Sequence, residues 1–344
     1  MPSGRGQWAI ARSARSHKGY CSKGDLGARS AGDESVQRLS ALIVPIGGSH
    51  EAIRRPHHPS RRAKLVRSPQ EFDMPVTVYD HPLSPYAQKV KIALTEKGVA
   101  FDAPLPEALG SGQVAAAFHA ASPRGEVPAL LDGDVAIFDS TVILEYIEDR
   151  WPEPALMPET PAQRARVRMI EDVMDTHYEA INWGLAELVH FGRGEGELAD
   201  HLRARAGQQA HQWQAWLTTQ LGSAPWFNGG SFGWGDLAVI PYINGSVGFD
   251  LGPEPGTALH DWQQRANARP SVAAANAAAT TMAMGRSEAA RAGMQAVRTM
   301  LERGEFKREY RDHRLEWMIK SGGIDVVLDG LARDNIRFTP EFPS

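Results

Sequence analysis

Three short stretches of this 344-residue chain place polar groups where a helix or an edge strand begins. Ser84-Pro85 is the first. Serine followed by proline is a helix start, with serine as N-cap and proline at the first helical position. Ala87 stands three residues on, so no Glu or Gln completes a reciprocal capping box. A serine there either only caps the helix or also offers its hydroxyl to an anion at the positive helix end. Val127-Pro128 is the second stretch. A proline that opens a strand leaves a ladder position unused, and the residue before it can pair with an extended peptide. The null alternative is an ordinary edge-strand proline. Asp139-Ser140, the third, lies at a strand-to-helix junction. Free N–H groups at a helix start bind carboxylates, and either residue could equally serve only as a cap.

The surrounding elements must hold these groups in place. Val76 to Tyr79 alternates as a short strand, and residues 85–97 read as a helix stopped by Gly98. Residues 100–106 could form a second strand and 113–121 a short helix. Residues 127–131 and 135–138 read as strands joined by Asp132-Gly133, a pair that favours an antiparallel hairpin. Asp139-Ser140 then opens a helix that ends near Trp151. The order βαβαββα predicts an α/β layer with a mixed sheet, a thioredoxin-like domain over 74–151. Prolines at 152, 154, 158 and 161 mark a linker over 152–163. Residues 164–285 read as an all-α helical domain. It has long helical patterns over 162–191 and 198–221 and shorter ones over 236–243, 260–268 and 271–279. Residues 286–344 add a C-terminal helical extension, patterned at 289–303 and 311–320, which could close over a pocket or cover a dimer surface.

The rest of the composition excludes whole classes. One cysteine, Cys21, rules out internal disulfides, thiolate zinc sites and a Cys-x-x-Cys redox centre. No apolar run approaches the roughly 18 residues of a membrane-spanning helix. A net charge of −4 gives no reason to expect nucleic acid, and a cysteine-poor chain fits the cytoplasm. The charge is unevenly spread: residues 1–73 carry about +7 and the remainder about −11. That basic stretch lacks periodicity and cannot bury enough apolar area to offset its ordering entropy. It reads as a disordered tail, a targeting peptide (the first 24 residues have no acid), or upstream sequence before a start at Met74.

The run Ser84-Pro85-Tyr86-Ala87-Gln88-Lys89-Val90-Lys91-Ile92-Ala93-Leu94 resembles the opening of the first helix in glutathione S-transferases of the tau, zeta, theta and omega classes. Ser122-Pro123-Arg124-Gly125-Glu126-Val127-Pro128-Ala129-Leu130 is similar to a second motif of that family, and Asp139-Ser140 followed by Ile143-Leu144-Glu145-Tyr146 to a third. The resemblance covers about 74–284. It implies that Ser84 contacts the sulfur of glutathione. A free thiol has a pKa near 8.5, and a hydrogen bond to sulfur at a helix N-terminus lowers it. It also implies that Val127, before a cis Pro128, pairs with the cysteinyl moiety. Ser140 would hold the γ-glutamyl carboxylate, with Asp139 balancing the ammonium. Gln113 aligns with a glutamine that meets the glycyl end, whereas the anchoring lysine of the tau and omega classes has no clear counterpart. Gly233-Trp234-Gly235-Asp236 matches the family's helix-capping box with glycine in the cap, so Asp236 is expected to be structural.

The expected protein is therefore a cytoplasmic, homodimeric glutathione S-transferase acting in detoxification. It would use glutathione as co-substrate, with no metal and no nucleotide. Ser84 would present the thiolate to a small hydrophobic electrophile between the two domains. Tyr86, Met174 and Tyr178 are the candidate contacts, beside His177 and Trp183. A serine in place of cysteine implies conjugation, dehalogenation, ether cleavage, isomerisation or peroxide chemistry, not mixed-disulfide chemistry. The rival is a non-catalytic glutathione-transferase-like regulatory protein, of the kind to which the stringent-starvation regulators belong.

Overall fold

The computed structural model describes residues 75–107, 109, 115–283 and 288–338. The basic stretch 1–73 and Gln113 lie outside the described residues. Alternation buries one side of β1 (Val76–Tyr79), with Val76 and Val78 facing the core. The helix α1 (Pro85–Glu96) follows, then β2 (Phe101–Asp102), α2 (Ala116–Ala121), β3 (Ala129–Asp132), β4 (Val135–Phe138) and α3 (Ser140–Arg150). The four strands form one sheet in the order β2-β1-β3-β4. β1 runs parallel to β2 and antiparallel to β3, and β3 and β4 form the hairpin that Asp132-Gly133 predicted, with Gly133 at φ 62°. This mixed sheet with its helices is a thioredoxin-like domain, joined to a helical domain. The strand expected over 100–106 shrinks to two residues: beyond them Pro104 has no N–H to give the ladder, and its carbonyl alone pairs, accepting from the Asp80 N–H at 3.0 Å. β3 begins only after Pro128, which has no N–H to give the ladder.

The helical domain begins with α4 (Pro161–Val173), earlier than the proline-rich stretch suggested. The reason is local: the Thr160 hydroxyl accepts from the Gln163 N–H and Gln163 Oε1 accepts from the Thr160 N–H, both at 3.3 Å. The long helix expected over 162–191 is continuous but not regular. α4 passes through a π-helical turn, Met174–Tyr178, into α5 (Glu179–Val189). Such turns are rare and occur often at functional sites. The domain continues with α6 (Gly196–Leu221), α7 (Trp234–Val247), α8 (Ala258–Asn267) and α9 (Pro270–Ala283). Asp236 is fully buried and structural: it accepts from the N–H of Phe227 (2.8 Å), of Gly233 (3.1 Å) and of the Trp262 indole (2.8 Å). Glycine fills the cap because a Cβ at Gly233 would collide with the Leu156 carbonyl and the Asn228 side chain.

Residues 286–344 hold more structure than two helical patterns. α10 (Glu288–Glu302), β5 (Arg308–Glu309), α11 (Asp312–Lys320), α12 (Ile324–Ala332) and β6 (Ile336–Arg337) are present, and β5 pairs in parallel with β6. Tyr310, Trp317, Met318, Val326, Val327 and Ile336 share one hydrophobic cluster with Ile181, Trp183, Leu188 and Leu202 of α5 and α6. Cations of this segment meet two buried acids on one stripe of α5. The Arg314 guanidinium donates to Glu179 at 2.6 Å, and His313 lies 2.9 Å from the same carboxylate. Arg308 donates to Glu187 at 2.5 Å. The Trp317 ring rests where a Cβ of Gly184 would be, and its indole N–H donates to Gln209 at 2.6 Å. The segment is thus built into the helical domain through its own core.

Candidate functional site

A cleft of about 180 Å3 lies where three parts of the chain meet. Tyr86, Ser122, Glu126, Val127, Pro128, Phe138, Asp139 and Ser140 come from the α/β domain. Asp175 and Thr176 come from the π-helical turn, and Arg311 and His313 from the C-terminal segment. The structure therefore brings the second and third motifs together on one wall. The Val127-Pro128 bond is cis. Among the described residues, neither the N–H nor the C=O of Val127 has a hydrogen-bond partner, so both remain for a ligand. The Ser140 hydroxyl also has no partner among the described residues, although the residue is buried. Asp139 caps α3, accepting from the N–H of Thr141 at 3.0 Å and of Val142 at 3.3 Å. It does so at φ 77°, a conformation that costs a non-glycine residue on the order of 1–3 kcal/mol and is found most at binding sites.

Ser84 caps α1, accepting from the Ala87 N–H at 3.3 Å. It is half-buried, and it does not line the cleft, whereas Tyr86 two residues on does. The capping bond uses a lone pair of the Ser84 oxygen and leaves its proton unspent. The Tyr86 proton is committed: its hydroxyl donates to the Asp175 carbonyl oxygen at 2.7 Å. Burial, and then the carboxylate of Glu179, push the Tyr86 phenol well above its ordinary pKa. A neutral tyrosine already donating to a carbonyl is a weaker candidate for holding a thiolate than a free hydroxyl at a helix N-terminus.

The electrophile contacts divide. Tyr86 faces the cleft, but Met174 and Tyr178 do not. Both are fully buried, and the Tyr178 hydroxyl accepts from Gln214 and from Ser246 at 2.9 Å each. The π-helical turn aims Asp175 and Thr176 at the cleft and turns Met174 and Tyr178 into the core. Trp183 packs edge-on against Tyr310 of the C-terminal segment. His177 stacks on Trp213 with ring centres 5.1 Å apart, in a second cleft of about 420 Å3. Trp216, Trp317 and Lys320 also line that cleft, which shares Thr176 and His313 with the first.

Two groups at the site are not visible in motif reading. Lys89 is fully buried in α1, and its ammonium donates to Glu171 at 2.8 Å and Asp175 at 2.7 Å. Glu171 also accepts from Thr141 at 3.0 Å and from the Trp234 indole at 2.6 Å, and Tyr242 donates to Asp175 at 2.7 Å. This network fastens α1 and α3 to the helical domain directly behind the cleft. Its only sequence signal is that Lys89 falls on the apolar stripe of Ile92 and Ala93. Arg311 is the other group, and nothing in its own neighbourhood of sequence points to a cleft more than a hundred residues away.

Residues 78–155 match the family model described as glutathione S-transferase, N-terminal domain. A stringent starvation protein A homolog of Histophilus somni is 36% identical over 85 residues, 25% of this chain and 39% of that protein. The chain spans about two fifths of the length of the curated relatives it matches first. A maleylacetoacetate isomerase of Pseudomonas aeruginosa is 29% identical over 189 residues, 54% of this chain and 85% of that protein. The fold is also that of a glutathione S-transferase from Rhodospirillum rubrum F11, with a TM-score of 0.51 and 24% identity over 57% of this chain and 90% of the other. None of the helices among the described residues is long and apolar enough to cross a membrane. The chain thus carries a glutathione S-transferase N-terminal domain over residues 78–155 and shares the fold of glutathione S-transferases.

Proposed function

We propose that the chain is a glutathione-dependent transferase or isomerase whose cleft holds the tripeptide and whose Ser84 hydroxyl donates to its sulfur. The observation that carries this reading is the set of unspent polar groups on the cleft wall, both backbone groups of Val127 and the Ser140 hydroxyl at the start of α3; the Ser84 proton, outside that lining at the start of α1 and two residues from Tyr86, is also unspent. Such groups left unpaired at a concave surface are what an extended peptide with a terminal carboxylate satisfies. The thiol would lose its proton to solvent, and the thiolate would attack an electrophilic carbon whose leaving group departs with the bonding pair. Tyr86 is the proposed electrophile contact, and Gln113 is proposed at the glycyl end. The cytoplasmic homodimer belongs to this reading on the resemblance alone, and light scattering tests the dimer.

The experiment is calorimetric titration of the full chain with glutathione, followed by turnover with a halogenated nitroaromatic. We expect binding that weakens in Ser140→Ala, and turnover that falls sharply in Ser84→Ala. A second reading, a non-catalytic binding protein, draws on the similarity to stringent starvation protein A homologs and on the cleft, whose volume of about 180 Å3 is below the roughly 300 Å3 at which ligand pockets usually begin. Binding without turnover, unchanged in Ser84→Ala, would favour it.

A further inference from the structure

The C-terminal segment reaches the cleft with one cation whose only ion pair is long and whose side chain makes no hydrogen bond among the described residues. Arg308 donates to Glu187, Arg314 to Glu179 and Arg333 to Asp329; Arg337 lies 3.4 Å from Glu309. Arg311 differs. Its side chain lines the cleft and is about four-fifths buried, yet among the described residues none of its five donors makes a hydrogen bond. Its nearest carboxylate, Glu126, is 3.5 Å away, longer than a charge-assisted bond of about 2.7–2.9 Å.

Glu126 does not compete strongly for it. One carboxylate oxygen of Glu126 and one of Glu309 are buried without a partner, and the two carboxyl groups face each other. Two carboxylates so placed hold one proton between them, which removes a charge from the pair. Burial and Glu309 push the Glu126 carboxyl up to about 8, while, against burial, the hydrogen bond from Glu126, and then Arg337 and Arg314 on the other side, hold the Glu309 carboxyl down. The guanidinium is left charged, partly desolvated and poorly paired, on the same cleft as Val127 and Ser140. Leaving such a group without an anion costs several times an ordinary hydrogen bond, so an anionic ligand gains correspondingly.

We infer that Arg311, supplied by the C-terminal segment, binds a carboxylate of the tripeptide in the cleft, so that the segment completes the co-substrate site instead of merely covering it. The inference rests on the proposed glutathione reading.

The test is titration calorimetry of the full chain and of Arg311→Gln with glutathione and with its glycyl monoethyl ester. The Arg311 side chain makes no hydrogen bond among the described residues and is poorly paired, so the variant should melt no lower than the wild type, which is checked first. We expect Arg311→Gln to bind glutathione roughly tenfold more weakly or worse. If the wild type, and not the variant, distinguishes glutathione from the ester, the glycyl carboxylate is the partner. If the variant weakens both ligands equally, the γ-glutamyl carboxylate is. Turnover at saturating glutathione should be retained, with the loss confined to KM. Unchanged affinity for both ligands would overturn the assignment, and tighter binding in the variant would make Arg311 a plug. Failure of the wild type to bind either ligand would instead overturn the glutathione reading, and the assignment with it.

Discussion

The two walls of the cleft are built on different physics. The α/β wall presents the backbone of Val127, the Ser140 hydroxyl and the Asp139 cap, groups positioned by strand register and the start of α3, with Ser84 at the start of α1 beside it. The C-terminal wall presents Arg311 and His313 on a segment held by ion pairs to the buried Glu179 and Glu187. The first wall is as stable as the sheet. The second rests on a hydrophobic cluster shared with α5 and α6, Trp317 over Gly184 among it, and also on charges that pH can remove. A site made this way can lose its second wall while the first stays folded.

Removing an anchor should have the largest effect on stability. Glu179→Ala strands Arg314 in the core, and breaking one partner of a buried pair costs about 3–5 kcal/mol. Trp317→Ala empties the contact over Gly184 and should cost about 3–5 kcal/mol, whereas Gly184→Ala, which overpacks the same contact, should cost about 1–3 kcal/mol. In each case we expect chemical denaturation to show the C-terminal segment released before the sheet, followed by tryptophan fluorescence. Simultaneous loss of both would mean that the walls are one cooperative unit.

Acid should separate the walls without mutation. Although burial raises it, the Glu179 carboxyl is held down to about 2 by Arg314 and His313, against an ordinary 4.5. A lowered folded pKa means that the unfolded chain takes up the proton first, so this stabilisation is complete above pH 4.5 and is lost as pH falls from 4.5 to 2. Fluorescence of the segment's tryptophan should therefore shift in that window, and Glu179→Gln should remove that contribution to the shift. The smallest stability change is expected on the other wall. Asp139→Asn keeps an oxygen to cap α3 and tolerates the left-handed backbone, so the melting temperature should hold within a degree or two while retention on immobilised glutathione falls.

The same division sets what could be read from sequence. Ser84-Pro85, Val127-Pro128 and Asp139-Ser140 act through local backbone geometry, and local geometry leaves local signals: a capping residue, a proline at a fixed position, a turn pair. The helices around them were legible from period, to within a few residues. Met174 and Tyr178 were not separable from core by type, and a π-helical turn decided which neighbours face the cleft. Lys89, Glu179 and Arg311 act through partners on other elements, and such pairing has no spacing to read. Two buried acids about two turns apart on the mostly apolar α5, Glu179 and Glu187, are the one hint that cations arrive from elsewhere.

The central claim is that Ser84, at the start of α1, makes a thiolate of the bound glutathione. Its most direct test is the thiol pKa of bound glutathione, followed by the ultraviolet absorbance of the thiolate across pH in the wild type and in Ser84→Ala. The account predicts a pKa below the free value of about 8.5 in the wild type, returning toward it in the variant. A bound thiol at its free pKa, or a depression that survives the substitution, would contradict it and leave Ser84 as a helix cap.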